Sequence, residues 1–342
     1  MGDAVTEKTI VGIFDNVIPV EIYHAANLAT VWISDSLSNS LPGIDYFPTQ
    51  SCLYCRSVEK HIDRLSASCR GVIFANTCTS MEKLYEIFLR KSAMDFVEMV
   101  DVPKVASEAS VYFYKERLKS LAVKMEAQYG LPVEKESLHE AIKLNNKLRN
   151  TLRGKKLYRS LLLKDDPLSL SNIKGKIGRI ETHEEKHRGD RPRLLVMGAR
   201  IEEASLAKAV EQEGACVAVY LTDNGDSYNS ISVDENTGDP FEALARGYLD
   251  IGRGRRTITE LPDIKMLREM VVNERIDGIV TLSYPYCART VYDVAWVKKH
   301  REWLDVPMLN LQMDNTGMAS AGLRNRISAF IEMVEAREGK YV

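Results

Sequence analysis

The sequence predicts an α/β protein made of two doubly wound, parallel-sheet (Rossmann-like) domains with additional long helices. In both halves of the chain, short apolar runs rich in β-branched residues alternate with segments of helical periodicity. Each half also contains an apolar run that begins with glycine, ends in a cysteine and precedes a helix, at residues 71–78 (GVIFANTC) and 278–287 (GIVTLSYPYC). The length of 342 residues and the 45% hydrophobic content suit two domains, and the two related runs indicate an internal duplication.

In the first half, residues 1–165, apolar and β-branched runs predict strands of a buried parallel sheet. Pro19 opens a short helix, since proline is tolerated in the first helical turn, and Gly130 ends a long one. The predicted strands lie at residues 11–17, 29–34, 71–77 and 96–103, and the other predicted helices at residues 52–68, 80–91, 108–129 and 136–163.

Residues 166–192 are polar and rich in glycine and charge, which predicts a linker between the two domains. Strand and helix patterns alternate again in the second half, residues 193–342, around a predicted loop at residues 223–240. The predicted strands lie at residues 193–199, 216–222, 278–284 and 307–314, and the predicted helices at residues 203–213, 241–249, 264–273, 290–300 and 321–336.

The overall charge gives no reason to expect nucleic acid or an anionic membrane as a partner. The formal net charge is −2 and the estimated pI is 6.4, so no basic excess is available to neutralise phosphates. The sequence has no apolar run long enough for a membrane span, and its N-terminus is too polar for a secretory signal. We therefore expect a cytoplasmic protein, in which six cysteines indicate metal binding or catalysis rather than disulfides.

One motif match points to hydrolytic zinc chemistry but has the wrong context. His183 and His187 match the HExxH pattern, yet they lie in the charged segment predicted as a linker, without the apolar face that would pack such a helix. The sequence also contains no GxSxG or Walker pattern. The cysteines therefore remain the best candidates for chemistry.

The chain contains a single CxxC pair, Cys52 and Cys55, in the stretch TQSCLYCRS. Such a pair can be a redox dithiol, half of a zinc site or part of an iron–sulfur site. In open α/β sheets ligands bind beyond the carboxyl ends of the strands, where Cys78 and Cys287 lie, each before a predicted helix. Cys52 begins a predicted helix as well, and a helix N-terminus favours a thiolate and an anionic cluster.

If the two domains face each other, Cys52 and Cys78 can meet Cys287 in the cleft between them. Structural zinc prefers four closed ligands, whereas a [4Fe–4S] cluster with three cysteines keeps one iron open. Cys55 is the less favoured alternative ligand, because a thiolate at the helix start gains most from the helix dipole. Two further cysteines, Cys69 and Cys216, are expected to be buried core residues.

At this point five segments together resemble the 2-hydroxyacyl-CoA dehydratase D-component family, which also contains the benzoyl-CoA reductase cluster subunits. Each segment alone is a weak match to the family pattern, but their order and spacing across nearly the whole chain are fairly specific. The segments are residues 18–28 (IPVEIYHAANL), 51–57 (SCLYCRS), 71–78 (GVIFANTC), 275–287 (RIDGIVTLSYPYC) and 311–333 (LQMDNTGMASAGLRNRISAFIEM).

The resemblance implies a [4Fe–4S] cluster in the cleft, with an iron-ligand set that maps onto Cys52, Cys78 and Cys287. It implies a heterodimer of two homologous subunits and a separate ATP-dependent iron–sulfur activator that delivers one electron. It also implies the reaction: radical (ketyl) elimination of water from a 2-hydroxyacyl-CoA to a 2-enoyl-CoA under anaerobic conditions. An acyl-CoA is then the substrate, and the protein is one subunit of a lyase.

Two departures from the family pattern are Thr79, where aspartate is usual, and Asn27, where glycine is common. The chain is also short for the family, which favours the smaller, beta-type subunit that relays the electron. Two alternatives stay open: a subunit of a benzoyl-CoA-type reductase, and a non-catalytic electron-relay or scaffold iron–sulfur protein.

Overall fold

The computed structural model is an α/β protein with two separate parallel sheets, as the sequence predicts. Within the described part of the chain each sheet has four strands, and every strand pairing is parallel. The structure describes residues 10–33, 46–105, 107–154, 167–182, 191–198, 203–222, 226–249, 263–313 and 320–338.

The first sheet is built in the order β2-β1-β3-β4. After β1 the chain pairs β2 on one side and then crosses to place β3 on the other, which makes the sheet doubly wound. Its strands are β1 (Ile10–Ile13), β2 (Ala29–Trp32), β3 (Gly71–Ala75) and β4 (Phe96–Val100). The helices of this part are α1 (Glu21–Ala25), α2 (Leu53–Glu59), α3 (Ile62–Ser68), α4 (Thr79–Lys91), α5 (Glu108–Tyr129), α6 (Lys135–Gly154) and α7 (Ile173–Glu181).

The second sheet repeats the same topology in the order β6-β5-β7-β8. The repeated order agrees with the internal duplication expected from the sequence. Its strands are β5 (Arg193–Gly198), β6 (Cys216–Thr222), β7 (Gly278–Ser283) and β8 (Met308–Gln312). Its helices are α8 (Glu203–Gln212), α9 (Asp226–Asn229), α10 (Pro240–Leu249), α11 (Ile264–Asn273), α12 (Ala288–Lys299), α13 (Arg301–Leu304) and α14 (Ala321–Glu338).

The long helix α5 begins and ends at the residues that the sequence predicts. The hydroxyl of Ser107 accepts a hydrogen bond from the backbone N–H of Ser110 at 3.1 Å, which caps the N-terminus. At the other end Gly130 adopts the left-handed conformation, with φ +68°, that residues with a side chain rarely adopt.

Of the helices that the structure describes, none has the length and apolar content needed to cross a membrane.

The single helix predicted over residues 52–68 is wrong, because the chain forms α2 and α3 with a break at His61. The backbone of His61 leaves helical geometry, with φ −112° and ψ 14°. Its imidazole Nδ1 lies 2.8 Å from the carbonyl oxygen of Ser57, an acceptor that a continuous helix would use for a backbone bond. The backbone N–H of His61 turns instead to Val58.

The segment predicted as a linker, residues 166–192, contains the helix α7. Its residues Ile173, Ile177 and Ile180 have helical spacing and are buried in the core of the first half. Just before it, Leu168 forms two backbone hydrogen bonds with Thr30 of β2, at 2.8 and 2.9 Å. Part of this segment therefore completes the first core, whereas the HExxH match at residues 183–187 lies outside the described residues. The proposed domain boundaries themselves stay a prediction.

Residues of the second half also enter the core of the first. The apolar cluster around β1 and α6 includes Tyr228, Leu244 and Tyr248, which come from α9 and α10. On the surface of the same contact, Arg246 of α10 forms an ion pair with Glu108 of α5 at 2.7 Å. The two halves are thus joined through α9 and α10, which lie in a region predicted only as a loop and one helix.

A buried polar network crosses this contact between the halves. The side chains of Glu21 in α1 and Arg149 in α6 form an ion pair at 2.8 Å, and both are fully buried. The hydroxyl of Tyr248 in α10 donates to the second oxygen of Glu21 at 2.7 Å. Burial alone would lower the pKa of Arg149, but the charge of Glu21 outweighs burial and raises it, so the guanidinium stays charged.

His24, three residues after Glu21 in α1, belongs to a second buried group. Its Nε2 lies 2.9 Å from the hydroxyl oxygen of Thr30, and its Nδ1 lies 3.0 Å from the side-chain nitrogen of Asn145. Burial lowers the pKa of His24 to about 3, so the imidazole stays neutral in the folded protein at ordinary pH.

We expect the substitution Arg149→Ala to destabilise the protein by about 3–5 kcal/mol, because it leaves the Glu21 carboxylate buried without a cation. Chemical denaturation gives the free energy of unfolding. The matched control is Lys83→Ala, which removes an exposed ion pair with Glu86 and should cost less than about 1 kcal/mol. Equal losses in the two variants would contradict this account of the buried pair.

We expect stability to fall with decreasing pH partly because of His24. An unfolded histidine takes up a proton below about pH 6.5, whereas the folded one resists protonation until about pH 3. The unfolded state therefore gains up to about 1.4 kcal/mol per pH unit through this window. His24→Gln should remove that slope between pH 5 and 6.5 in denaturation experiments. The control is His139→Gln, at a half-buried position of α6, which should keep the slope. An unchanged slope in the His24 variant would refute the assignment.

Candidate functional site

Cys52 occupies the N-cap position of α2, as the sequence predicts. Two hydrogen bonds hold the loop before it. The backbone N–H of Ser51 donates to the carbonyl of Pro48 within the loop, and the side chain of Arg56 in α2 donates to the carbonyl of Thr49 at 3.1 Å. The side chain of Cys52 is buried. A buried thiol at the start of a helix is therefore held in one place by its own loop.

Cys78 occupies the N-cap position of α4, directly after the third strand of the first sheet. Its backbone is extended, with φ −163°, and its carbonyl accepts the backbone N–H of Met81 at 3.0 Å, which begins the helix. The side chain of Cys78 is exposed. It lies at the carboxyl edge of the sheet, where ligands of doubly wound folds bind.

Cys287 occupies the N-cap position of α12, at the equivalent place after the third strand of the second sheet. The preceding residue, Tyr286, has a left-handed backbone with φ +61°, which is uncommon for a residue with a large side chain. This turn leads the chain from β7 into α12, and Cys287 is half-buried.

The structure brings these cysteines together from the two halves of the chain. Cys287 is close enough to donate a hydrogen bond to the sulfur of Cys52, and this contact is the main cause of the raised pKa of Cys287. The same bond lowers the pKa of Cys52, but the thiol of Cys55 and burial raise it to about 12. Part of the Cys78 side chain reaches the surface, but the protein packed around its thiol still withdraws it from water, and this desolvation is the main cause of its raised pKa; the charge of Cys287 is near enough to contribute.

Cys55 belongs to the same group of thiols. It lies one helical turn after Cys52, is 1% exposed, and interacts with the Cys52 sulfur. Its own sulfur lies 3.8 Å from the sulfur of Met81 in the first turn of α4. Cys55 is therefore a direct neighbour of Cys52 and stays the alternative ligand at this position.

The side chains at this site are of the type that binds an iron–sulfur cluster, but they are not spaced as a metal site is. Among the residues that the structure describes, no group of three or more His, Cys, Asp or Glu is close enough together to hold a metal ion. The donors that do converge are thiols, which select zinc, copper(I) and iron–sulfur clusters. Thiol–thiol hydrogen bonds and burial raise the pKa of Cys287 and of Cys52, so without a metal both are protonated thiols at neutral pH, and a positively charged metal centre would favour their thiolate forms.

The two cysteines expected in the core lie apart from this group. Cys69 ends α3 and is 5% exposed, and its burial raises its pKa to about 11. Cys216 begins β6 and is 2% exposed. Both are buried as predicted, and they serve below as matched controls.

Sequence reasoning missed Asp15, which is buried beside the site. Residues 11–17 were predicted as one strand, whereas β1 ends at Ile13 and Asp15 begins a turn. The Asp15 carboxylate accepts a hydrogen bond from the hydroxyl of Thr77 at 3.5 Å, and its charge raises the pKa of Cys78. The signal was present in the sequence, because the pair Asp15 and Asn16 follows an apolar run as it does at many strand ends.

Comparison with known proteins gives one family and two relatives. A family model described as 2-hydroxyglutaryl-CoA dehydratase, D-component, matches residues 16–334. A candidate dehydratase subunit, YjiM, of Escherichia coli (strain K12) is 26% identical over 286 residues, which cover 77% of this chain and 74% of that protein. The (R)-phenyllactyl-CoA dehydratase beta subunit of Clostridium sporogenes is 21% identical in an alignment of 352 residues, covering 96% and 92% of the two chains.

We expect the six thiols to react with a soluble alkylating reagent in the order of their exposure. Cys78 is exposed and should be modified first, followed by the half-buried Cys287. The buried thiols should react only on unfolding; they are Cys52, Cys55, Cys69 and Cys216. Mass spectrometry of peptides from reduced, metal-free protein gives the order, and early modification of Cys69 or Cys216 would contradict the described packing.

Proposed function

Because the chain belongs to the 2-hydroxyglutaryl-CoA dehydratase D-component family, we propose that it is the [4Fe–4S]-binding, beta-type subunit of a 2-hydroxyacyl-CoA dehydratase. Membership of this family supports a hydro-lyase subunit. We propose in addition that the chain binds the cluster and takes part in the radical reaction. The observation that carries it is the convergence of Cys52, Cys78 and Cys287, each at the start of a helix and drawn from both halves.

In this proposal the three cysteines hold the cluster and Cys55 is a neighbour. Bound there, the cluster would supply a one-electron centre. The chain would supply the thiolate ligands and three helix N-termini whose positive ends favour the anionic group. The overall reaction removes water from a 2-hydroxyacyl-CoA to give a 2-enoyl-CoA.

We further propose two protein partners. The relative from Clostridium sporogenes is named as a beta subunit, which supports a second, homologous subunit for this chain as well. An ATP-dependent iron–sulfur activator would provide the low-potential electron. A benzoyl-CoA-type reductase subunit, or a non-catalytic relay or scaffold protein, would use the same cysteines, so the ligand test below applies to every version of the proposal.

We expect Cys52→Ala, Cys78→Ala and Cys287→Ala each to reduce the iron content of anaerobically purified protein to less than half of the unsubstituted level, because each removes one protein ligand. Iron and acid-labile sulfide assays, with the visible absorbance of the cluster, give the measurement. The controls are Cys69→Ser and Cys216→Ser, which should keep full iron.

Full iron in any one of the three alanine variants removes that cysteine from the ligand set. Loss of iron in Cys69→Ser or Cys216→Ser would contradict their assignment to the core. The variant Cys55→Ser decides the remaining question: full iron makes Cys55 a neighbour, and a loss equal to that of Cys52→Ala makes it a ligand.

A further inference from the structure

A cavity at the open edge of the second sheet takes no part in the function proposed above. It has a volume of about 470 Å³ and lies beside β8, between the C-terminal parts of α12 and α14 and the short helix α13. Lys298, which lines it, lies eleven residues after Cys287, about 16 Å along α12 at the rise of an α-helix. The cavity and the cysteines therefore lie towards opposite ends of α12. We call it the β8 cavity.

Three cations from three different helices line the β8 cavity. They are Lys298 of α12, Arg301 of α13 and Arg337 of α14. Two carboxylates, Glu302 and Asp305, line the same cavity, but among the described residues none of the three cations forms an ion pair. The guanidinium donors of both arginines thus stay available, and paired guanidinium donors match the oxygens of a phosphate group.

The strand side of the cavity adds a fixed amide donor. The hydroxyl of Thr281 in β7 donates to the side-chain oxygen of Asn310 in β8 at 3.2 Å, and both residues line the cavity. The backbone carbonyl of Asn310 accepts a hydrogen bond from the guanidinium of Arg326 at 2.5 Å. Asn310 is therefore held through its side chain and its backbone, while its amide nitrogen has no partner among the described residues.

The other lining residues indicate what else the ligand carries. Two methionines, Met308 and Met333, contribute flexible thioethers, which pack well against an aromatic ring. As carboxylates, Glu302 and Asp305 accept hydrogen bonds from ligand hydroxyl groups and repel additional phosphates. The cavity thus suits a small molecule with an aromatic ring, hydroxyl groups and a single phosphate, and its volume is in the range of small-molecule sites.

We propose that the β8 cavity binds a nucleoside monophosphate. The phosphate lies at the three cations, the ribose hydroxyls lie at the two carboxylates, and the base packs against the two methionines. This site lies away from the cysteines and needs no cluster, so it is a second ligand site in addition to the chemistry proposed above.

Calorimetric titration of the full-length chain with adenosine monophosphate (AMP) tests the proposal. We expect saturable binding with a Kd below about 1 mM, and binding of adenosine, which lacks the phosphate, at least about tenfold weaker. Arg301→Gln and Arg337→Gln should each weaken AMP binding about tenfold, because each removes a charge-assisted hydrogen bond. Iron content should not change in either variant, so failure of the cysteine assignment leaves this test unaffected.

A helix-stabilising role for Arg337 would give a different result. Arg337 lies in the last turn of α14, where a cation also stabilises the helix end. Arg337→Lys keeps that charge but loses the paired donors, so it should keep the Tm of the original protein and still bind AMP more weakly. A lower Tm with full AMP affinity in Arg337→Gln would assign Arg337 to the helix end and overturn the site.

The matched control is Arg324→Gln, which changes an exposed arginine of the same helix that does not line the cavity. Its affinity for AMP should stay within about twofold, as expected for a distant surface charge. No binding of AMP to the original protein, adenosine binding as tight as AMP binding, or an equal loss in Arg324→Gln and Arg337→Gln would each overturn the proposal.

Discussion

The arrangement of the whole molecule depends on one buried charge pair, Glu21 with Arg149. Neither charge can stay in the core without the other, because an isolated buried ion is far less stable than a solvated one. The hydroxyl of Tyr248 completes the coordination of the carboxylate, and that tyrosine comes from the second half of the chain. Two nitrogens of Arg149 have no hydrogen-bond partner among the described residues, so the Glu21 contact provides most of the compensation. The Glu21 carboxylate therefore has both of its partners, Arg149 and Tyr248, only when the two halves are packed together.

Once the halves are fixed, the sheet topology determines where chemistry can occur. In each sheet the third strand in chain order lies beside the first, and the loop that follows it lies at the carboxyl edge of the sheet. Cys78 and Cys287 occupy that loop in the two sheets, immediately before a helix. The duplicated topology thus provides two equivalent positions, and the packing of the halves lets Cys287 reach Cys52. Because the second unit brings Cys287 to the site, no long loop is needed to carry a cysteine there.

Much of this could be predicted from the sequence because it is locally encoded. Hydrophobic periodicity identified the eight described strands and most helices, and the start of a helix at each of three cysteines follows from local pattern. The break at His61 was missed because a side-chain bond replaces a backbone bond there, and periodicity does not detect such an exchange. The helix α7 was missed because its few isoleucines lie among glycine and charge.

The contacts between distant residues could not be predicted from the pattern. The thiol contact of Cys52 with Cys287 joins residues more than two hundred positions apart. The burial of Asp15 beside Cys78 depends on where a strand ends, and strand ends are the least reliable part of any prediction from periodicity. The family resemblance named the same three cysteines, but only as an assignment by motif. Their role as cluster ligands stays a prediction that iron analysis can decide.

The packing of α9 and α10 into the first core has a consequence for how the chain matures during synthesis. Domains commonly fold as they leave the ribosome, the N-terminal one first. Here the first core lacks Tyr228, Leu244 and Tyr248 until residue 249 has emerged. The N-terminal unit therefore lacks part of its core while it is being synthesised, and Cys52 gains its contact with Cys287 only after residue 287 has emerged. Any cluster would be inserted late, into a nearly complete polypeptide, rather than into a finished first domain.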